Sequence, residues 1–280
     1  MTHFKSFAKI NLGLQVLEKR NDDFHNINTI FARISLADSL EINKSSSDKI
    51  IIEGTPAFDF PIQNNLIYKA ADKLRTKENV PLGAKINVIK NIPMGAGLGG
   101  GSSNCAYTLK NLRKIWNLDE NYNHDLIIAQ TLGSDVPFFL KDGFAIGKSR
   151  GEKLEYFDIK LPWTILLVNP GIHIYTPDAF AQLNRNSEPR TSLNFKNILS
   201  KSLENPSLLR EYMINDFEKS VFKTHPEIAQ IKSDLYSEGA FFALMSGSGS
   251  TLFGLFENHK LAEEARSKFP DYFTYISYFV

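Results

Sequence analysis

The chain opens on strict alternation. Ile10, Leu12, Leu14 and Val16 share one face of an extended segment, while Lys9, Asn11, Gly13 and Gln15 share the other. A period of two belongs to a half-buried strand. Residues 28–35, 39–42 and 48–53 read as further strands, and so does 85–90, with Ile86, Val88 and then Ile92 facing one way. Between 64 and 77 the period changes: Leu66, Ile67, Ala70, Ala71 and Leu74 recur at helical spacing. Cys105, Ala106, Leu109, Leu112, Ile115 and Trp116 repeat every three or four residues and predict a second amphipathic helix. A third, over 125–132, ends at Gly133, where a left-handed cap is expected. In the second half, strands over 144–147 and 163–169 bracket the charged turn SRGEKLE, and helices are expected over 178–183, 207–217 and 227–238. Paired strands over 241–246 and 251–256 join through GSGS, before a helix over 257–269 and a closing strand over 272–279. The polar stretch 184–197 reads as a surface loop. Strands and helices mix without steady alternation, which is an α+β pattern. The expected division is two domains, 1–155 and 156–280.

Composition narrows the classes. A chain of 280 residues with 42% hydrophobic positions suits one large or two moderate cores. The net charge is +1, from 32 basic and 31 acidic residues, so no nucleic-acid or membrane surface is expected. The single cysteine, Cys105, permits no internal disulfide and fits a reducing compartment. The N-terminal stretch lacks the unbroken apolar run of a signal peptide, and the run at 165–168 is far too short to span a bilayer. A cytoplasmic location is expected, with no protein partner implied. Cys105 reads as core, and no protein metal cage is apparent.

The strongest local feature lies between the strand at 85–90 and the helix that follows. Residues 93–106 read PMGAGLGGGSSNCA, with five glycines between 95 and 101. A helix N-terminus presents unpaired N–H groups and the positive end of the macrodipole. Glycines ahead of it let the backbone wrap closely around phosphate. Ser102 and Ser103 add hydroxyls, as donors or as an oxygen for a phosphate-bound Mg²⁺. A flexible linker is the plain alternative, but it has no reason to stand between a strand and an amphipathic helix. Gly95, Gly97 and Gly100 also satisfy the dinucleotide fingerprint, with Asp119 or Glu120 about 20 residues on. That acid sits in the polar stretch NLDENYNHD rather than at a strand end, which argues against the dinucleotide form. The loop has no lysine for a Walker motif, and the H-R-D and D-F-G motifs of protein kinases are absent.

The run from Pro93 to Ser103 (Pro93, Met94, Gly95, Ala96, Gly97, Leu98, Gly99, Gly100, Gly101, Ser102, Ser103) resembles the phosphate loop of the GHMP kinase superfamily. Its triple glycine with Ser-Ser-Asn is similar to the branch that acts on a cytidyl diphosphate alcohol in non-mevalonate isoprenoid biosynthesis. AKINL from Ala8, DFH from Asp23, NLI from Asn65, GSDVPFF from Gly133, NDFE from Asn215 and SGSGS from Ser246 agree in order and spacing along nearly the whole chain. The resemblance implies an N-terminal domain like ribosomal protein S5, a C-terminal ferredoxin-like domain, and an active site in the cleft between them. It implies transfer of the ATP γ-phosphate to the 2-hydroxyl of 4-diphosphocytidyl-2-C-methyl-D-erythritol, with Mg²⁺ carried by ATP.

The resemblance also assigns roles. Asp135 matches the general base, although an aspartate after Gly133 is also an ordinary turn or cap residue. Lys9 matches the lysine that steadies the transferring phosphoryl group, with Asn11 as its neighbour; a solvated edge lysine is the alternative. His25 and Phe24 match a histidine and a tyrosine that recognise cytosine, so stacking survives here but the phenolic hydroxyl does not. Thr176 and Phe180 match the other side of that pocket, placing the base between Phe24 and Phe180; a helix cap and a core ring are their plain readings. Asn65 and Lys90 match positions near adenine and ribose, against a helix cap and a surface lysine. The turn at 246–250 matches a segment that helps shape the phosphate site, where a plain hairpin turn looks the same.

Overall fold

The computed structural model describes residues 2–183, 185 and 188–280. They divide into two compact units. One comprises the chain up to Ala8, Leu36–Met94 and Gly99–Asp142; the other comprises Lys9–Ser35, Gly95–Leu98 and Gly143–Val280. The long strands β1 (Thr2–Lys19) and β2 (His25–Ser45), which pair with each other, and the glycine loop each contribute to both units. Residue 155 lies inside β6 (Lys153–Phe157), with Glu155 opposite Ile146.

In the first unit, β3 (Ile50–Thr55) runs parallel to β4 (Gly83–Ile89), and β4 pairs antiparallel with the second half of β2, Leu40 opposite Val88. Three helices pack together: α1 (Leu66–Lys77), α2 (Gly100–Ile115) and α3 (Tyr122–Leu132). Helix α1 starts where the Asn65 side chain accepts the Ile67 N–H at 2.9 Å, and it buries Ile67, Ala70, Ala71 and Leu74. Ile67 and Leu74 each contribute about 1.5–3 kcal/mol on burial. One buried charge ties the helices. Arg113 of α2 donates to Asp125 of α3 at 2.7 Å and to Glu78, just past α1, at 2.8 Å.

In the second unit, β5 (Phe144–Ser149) pairs antiparallel with the first half of β2 and with β6. A separate antiparallel sheet has the order β10 (Phe273–Ser277), β7 (Thr164–Asn169), β9 (Leu252–Phe256), β8 (Phe242–Met245). Between its first two strands in sequence lie α4 (Thr176–Gln182), α5 (Phe195–Ser202), α6 (Ser207–Tyr212), α7 (Glu218–Thr224) and α8 (Pro226–Ser237); α9 (His259–Arg266) follows β9. Strand order and connections are those of a ferredoxin-like split βαβ. Ile228, Ile231 and Leu235 of α8 and Ala262 and Ala265 of α9 join Leu166, Val168 and Phe256 in its core.

Several elements depart from the sequence pattern. The strands expected at 28–35 and 39–42 are one strand of 21 residues. Asp38 does not break it, because its fully buried carboxylate accepts the N–H groups of Asn91 and Ile92 at 2.8 Å each. The polar face of β1 is not solvated: Lys9, Asn11 and Gln15 are 3%, 1% and 2% exposed. Gly133 is extended, at φ 167° and ψ 153°, and leads straight out of α3 instead of forming a left-handed cap. The helix expected over 207–217 stops at Tyr212, and Asn215 forms a parallel bridge to Leu14. Within 184–197, Asn184, Asn186 and Ser187 lie outside the described residues. Leu193 is held against β1 and β2 through Gln15 Oε1 at 2.7 Å and Asn28 Nδ2 at 2.9 Å, and Phe195 begins α5.

Candidate active site

In the second unit the glycine loop meets the turn at 246–250. Gly95 and Gly97 have φ of +63° and +78°, values that favour glycine. A Cβ on Gly97 would lie 2.1 Å from the Ser246 carbonyl oxygen, and one on Gly95 would lie 2.5 Å from His173 Nδ1. The Gly97 carbonyl accepts from Ser246 Oγ and from Lys9 Nζ, each at 3.0 Å. Lys9 also donates to Asn11 Oδ1 at 2.8 Å, and Asn11 Nδ2 donates to Thr29 Oγ1 at 2.8 Å. The buried ammonium is thereby fixed on the loop, which excludes the solvated-edge reading. Ala96 and Leu98 are buried, and the Leu98 carbonyl accepts the Lys9 N–H at 3.0 Å.

In the first unit, Gly99 takes φ +70° and α2 begins at Gly100. Pro93 is half-buried ahead of the loop, and Gly101 is exposed in the first turn of α2. The Ser103 hydroxyl is engaged internally: Oγ lies 2.6 Å from the Phe7 carbonyl and 2.7 Å from Ser6 Oγ. Ser102 is half-buried beside Gly133, where a Cβ would lie 3.9 Å from Ser102 Oγ. Lys90 forms an ion pair with the buried Asp38, which also accepts from Asn104 Nδ2 at 3.0 Å. A Cβ on Gly100 would lie 3.4 Å from Lys90 Nζ, so this ammonium stands at the first turn of α2. Asn65 is buried as the cap of α1. Asp135 is half-buried and leads the 3₁₀ turn Val136–Leu140 without capping it through its side chain. That turn packs on α2 and α3 through buried residues that include Val136, Phe138 and Phe139, which fixes the backbone that carries Asp135.

A third constellation, in the second unit, is aromatic. The His25 ring stacks on Phe180 with centroids 5.2 Å apart and planes 14° apart, and Phe180 meets Phe217 edge-on at 4.8 Å. Burial pushes the His25 pKa below the ordinary histidine value, and the charges of Lys19 and Arg185 push the same way against a backbone hydrogen bond at Arg185. His25 is therefore neutral at pH 7, with one ring nitrogen donating and the other accepting. Phe24 is 51% exposed, and the Arg150 guanidinium lies 4.8 Å from its ring centroid. Thr176 is not the cap of α4, since Tyr175 holds that place; its Oγ1 lies 2.9 Å from Ser248 Oγ in the 246–250 turn.

Sequence reasoning missed four residues around these sites: Asp38, Arg150, His173 and Ser246 as a direct ligand of the Gly97 carbonyl. None stands out by periodicity. Ser246 and Arg150 lay in segments already singled out, the 246–250 turn and the charged turn SRGEKLE. Among the described residues no group of three or more His, Cys, Asp or Glu could hold a metal ion, and no helix is long and apolar enough to cross a membrane. Burial pushes the Cys105 thiol strongly upward and leaves it unreactive.

A glycine loop on a helix N-terminus, a buried lysine on the loop's carbonyl and the ferredoxin-like second sheet define a small-molecule kinase of the GHMP type. Residues 65–143 match the model for the GHMP kinases N terminal domain, and residues 195–274 match that for GHMP kinases C terminal. The chain is 42% identical over 267 residues to the 4-diphosphocytidyl-2-C-methyl-D-erythritol kinase of Parabacteroides distasonis, covering 95% of both chains. It is 40% identical to the kinase of that name from Chlorobium limicola, covering 93% of this chain and 90% of the relative. A crystal structure of 4-(cytidine 5'-diphospho)-2C-methyl-D-erythritol kinase superposes with a TM-score of 0.82 at 31% identity, covering 99% of both chains. The mevalonate kinase of Methanococcus jannaschii shares the fold, with a TM-score of 0.74 at 15% identity over 100% of this chain and 98% of that one. The chain belongs to the 4-diphosphocytidyl-2-C-methyl-D-erythritol kinase family of GHMP kinases.

Proposed function

We propose that this chain transfers the γ-phosphoryl group of ATP to the 2-hydroxyl of 4-diphosphocytidyl-2-C-methyl-D-erythritol, giving the 2-phosphate and ADP. The product feeds isopentenyl diphosphate synthesis by the non-mevalonate route, in the cytoplasm. The observation that carries the reading is the Lys9 ammonium, buried and held on the Gly97 carbonyl at 3.0 Å. A lysine fixed on a phosphate loop contributes charge where the transferring group develops it, with no reorganisation cost at that moment. Backbone N–H groups between Gly95 and Gly101, from Ala96 and Leu98 through the three consecutive glycines, hold the donor's phosphates. The first turn of α2 adds the macrodipole and the Ser102 hydroxyl. Asn65 and Lys90 border the adenosine end, and Pro93 shapes the approach. Asp135 accepts the proton of the attacking hydroxyl, a contribution of about 10²–10⁴ in rate for such groups. Asn11 keeps Lys9 aligned and borders the acceptor.

Mg²⁺ arrives with ATP. The neutral His25 ring reads the cytosine edge, with Phe24, Phe180 and Thr176 around it. No nucleic acid or membrane surface takes part. The distinctive test is base selectivity. Calorimetry is expected to find cytidine diphosphate binding about tenfold or more tighter than uridine diphosphate, because a buried polar edge left unpaired is costly. Equal affinities would sink the cytosine assignment.

A further inference from the structure

In the segment NDFE, residues 215–218, Phe217 packs on Phe180, whereas the side chains of Asn215 and Glu218 are spent on one turn. Asn215 is buried, and its Nδ2 donates to the carbonyls of Met245 at 2.7 Å and Gly247 at 2.8 Å. Its Oδ1 accepts the Phe217 N–H at 3.0 Å, which fixes the amide's orientation. Glu218 Oε1 accepts the Met245 N–H at 2.9 Å, and Oε2 accepts from Lys232 Nζ at 2.6 Å. Burial raises the Glu218 pKa, and the Lys232 charge opposes that rise. Met245 is thus held at its N–H by one residue and at its carbonyl by the other, and Gly247 is held on the far side of Ser246.

Ser246 has no slack. Its Oγ reaches the Gly97 carbonyl, which also accepts from Lys9, and its own carbonyl stands 2.1 Å from the place of a Gly97 Cβ. The next residue also lies against the loop, since a Cβ on Gly247 would lie 3.3 Å from Gly97 Cα. The segment is anchored in turn on β1, where Asp216 N–H donates to the Leu14 carbonyl at 2.9 Å and Asp216 Oδ2 accepts the Val16 N–H at 2.8 Å. Any displacement of the turn passes directly to Gly97 and to the lysine bound on its carbonyl.

We propose that Asn215 and Glu218 are positioning residues for the phosphoryl donor: they set the 246–250 turn against Gly97 and, through the Gly97 carbonyl, the Lys9 ammonium. The proposal rests on the kinase reading above, and the test keeps the two apart. Binding of a non-hydrolysable ATP analogue with Mg²⁺ is measured by calorimetry, and turnover on the cytidyl substrate is measured separately. Asn215→Ala and Glu218→Ala are each expected to weaken the analogue about tenfold, raise the KM for ATP alike and lower kcat, while the KM for the cytidyl substrate changes less than about threefold. Glu218→Gln, which keeps an acceptor for the Met245 N–H, is expected to restore most of the affinity. Val221→Ala, a core truncation in the same helix as Glu218, is expected to lower Tm without weakening the analogue. Where Asn215→Ala does not fold, the Glu218 pair decides. Unchanged analogue affinity in the folded alanine variants, or an equal loss in Val221→Ala, would overturn the proposal. Absence of turnover in the unsubstituted protein would defeat the kinase reading, and the analogue titrations would still decide the role of Asn215 and Glu218.

Discussion

Asp135 and His25 ask different things of their surroundings. Asp135 needs only to be held, and the buried turn behind it does that through Val136, Phe138 and Phe139. Asp135→Asn keeps the shape and removes the proposed proton acceptor, so kcat is expected to fall by about 10²–10⁴ while ATP affinity stays within a factor of about two. Stopped-flow turnover beside ATP titration checks it, and near-normal turnover would refute the assignment. His25, as the proposed reader of the cytosine edge, must stay uncharged. Its folded pKa is depressed, chiefly by burial, so its contribution to stability is complete above the unfolded pKa and is lost as pH falls through the folded value. The same protonation removes an acceptor from the ring. The KM for the cytidyl substrate is therefore expected to be flat at neutral and alkaline pH and to rise below the ordinary histidine range. In His25→Ala that KM is high at every pH and the KM for ATP is unchanged. A pH-dependent rise that persists in His25→Ala would assign the effect elsewhere.

The glycine loop joins two differently constrained halves. A Cβ at Gly97 has nowhere to go against the backbone of Ser246, whereas at Gly101 it would meet only Leu66 Cδ1 at an ordinary 3.7 Å. Gly97→Ala is expected to lower Tm and abolish ATP binding, while Gly101→Ala keeps the wild-type Tm; equal Tm losses in a thermal melt would contradict this packing. The loop's place between strand and helix was legible because glycine freedom and the helical period both write themselves into the sequence. The burial of Lys9, Asn11 and Gln15 was not, because alternation records which side chains share a face, not whether that polar face is later covered. Nor was the role of Asp38 legible: its partners, Lys90, Asn91, Ile92 and Asn104, arrive from 52 or more residues away. The residues proposed to take cytosine came from separate parts of the sequence. His25 and Phe180 come together in a stacked pair, but Arg150 over Phe24 follows from a charged turn that no periodicity connects to it.

At the scale of the whole molecule, the chain order of motifs matters more than any one of them. Each compact unit is assembled from separated stretches: residues 95–98 belong to the second unit although the chain on both sides of them builds the first, and Lys9 opens the second unit's stretch Lys9–Ser35. This interleaving explains why the family's motifs are spread over nearly the entire chain and why a short glycine loop alone could not name a substrate. The central claim is that this assembly phosphorylates a cytidyl diphosphate alcohol. ADP release tests it most directly, with purified protein, Mg²⁺–ATP and a panel of 4-diphosphocytidyl-2-C-methyl-D-erythritol, homoserine, mevalonate and galactose. Turnover on the cytidyl substrate alone is the expected result. Turnover on another alcohol, or ATP binding with no turnover on any of them, would contradict it.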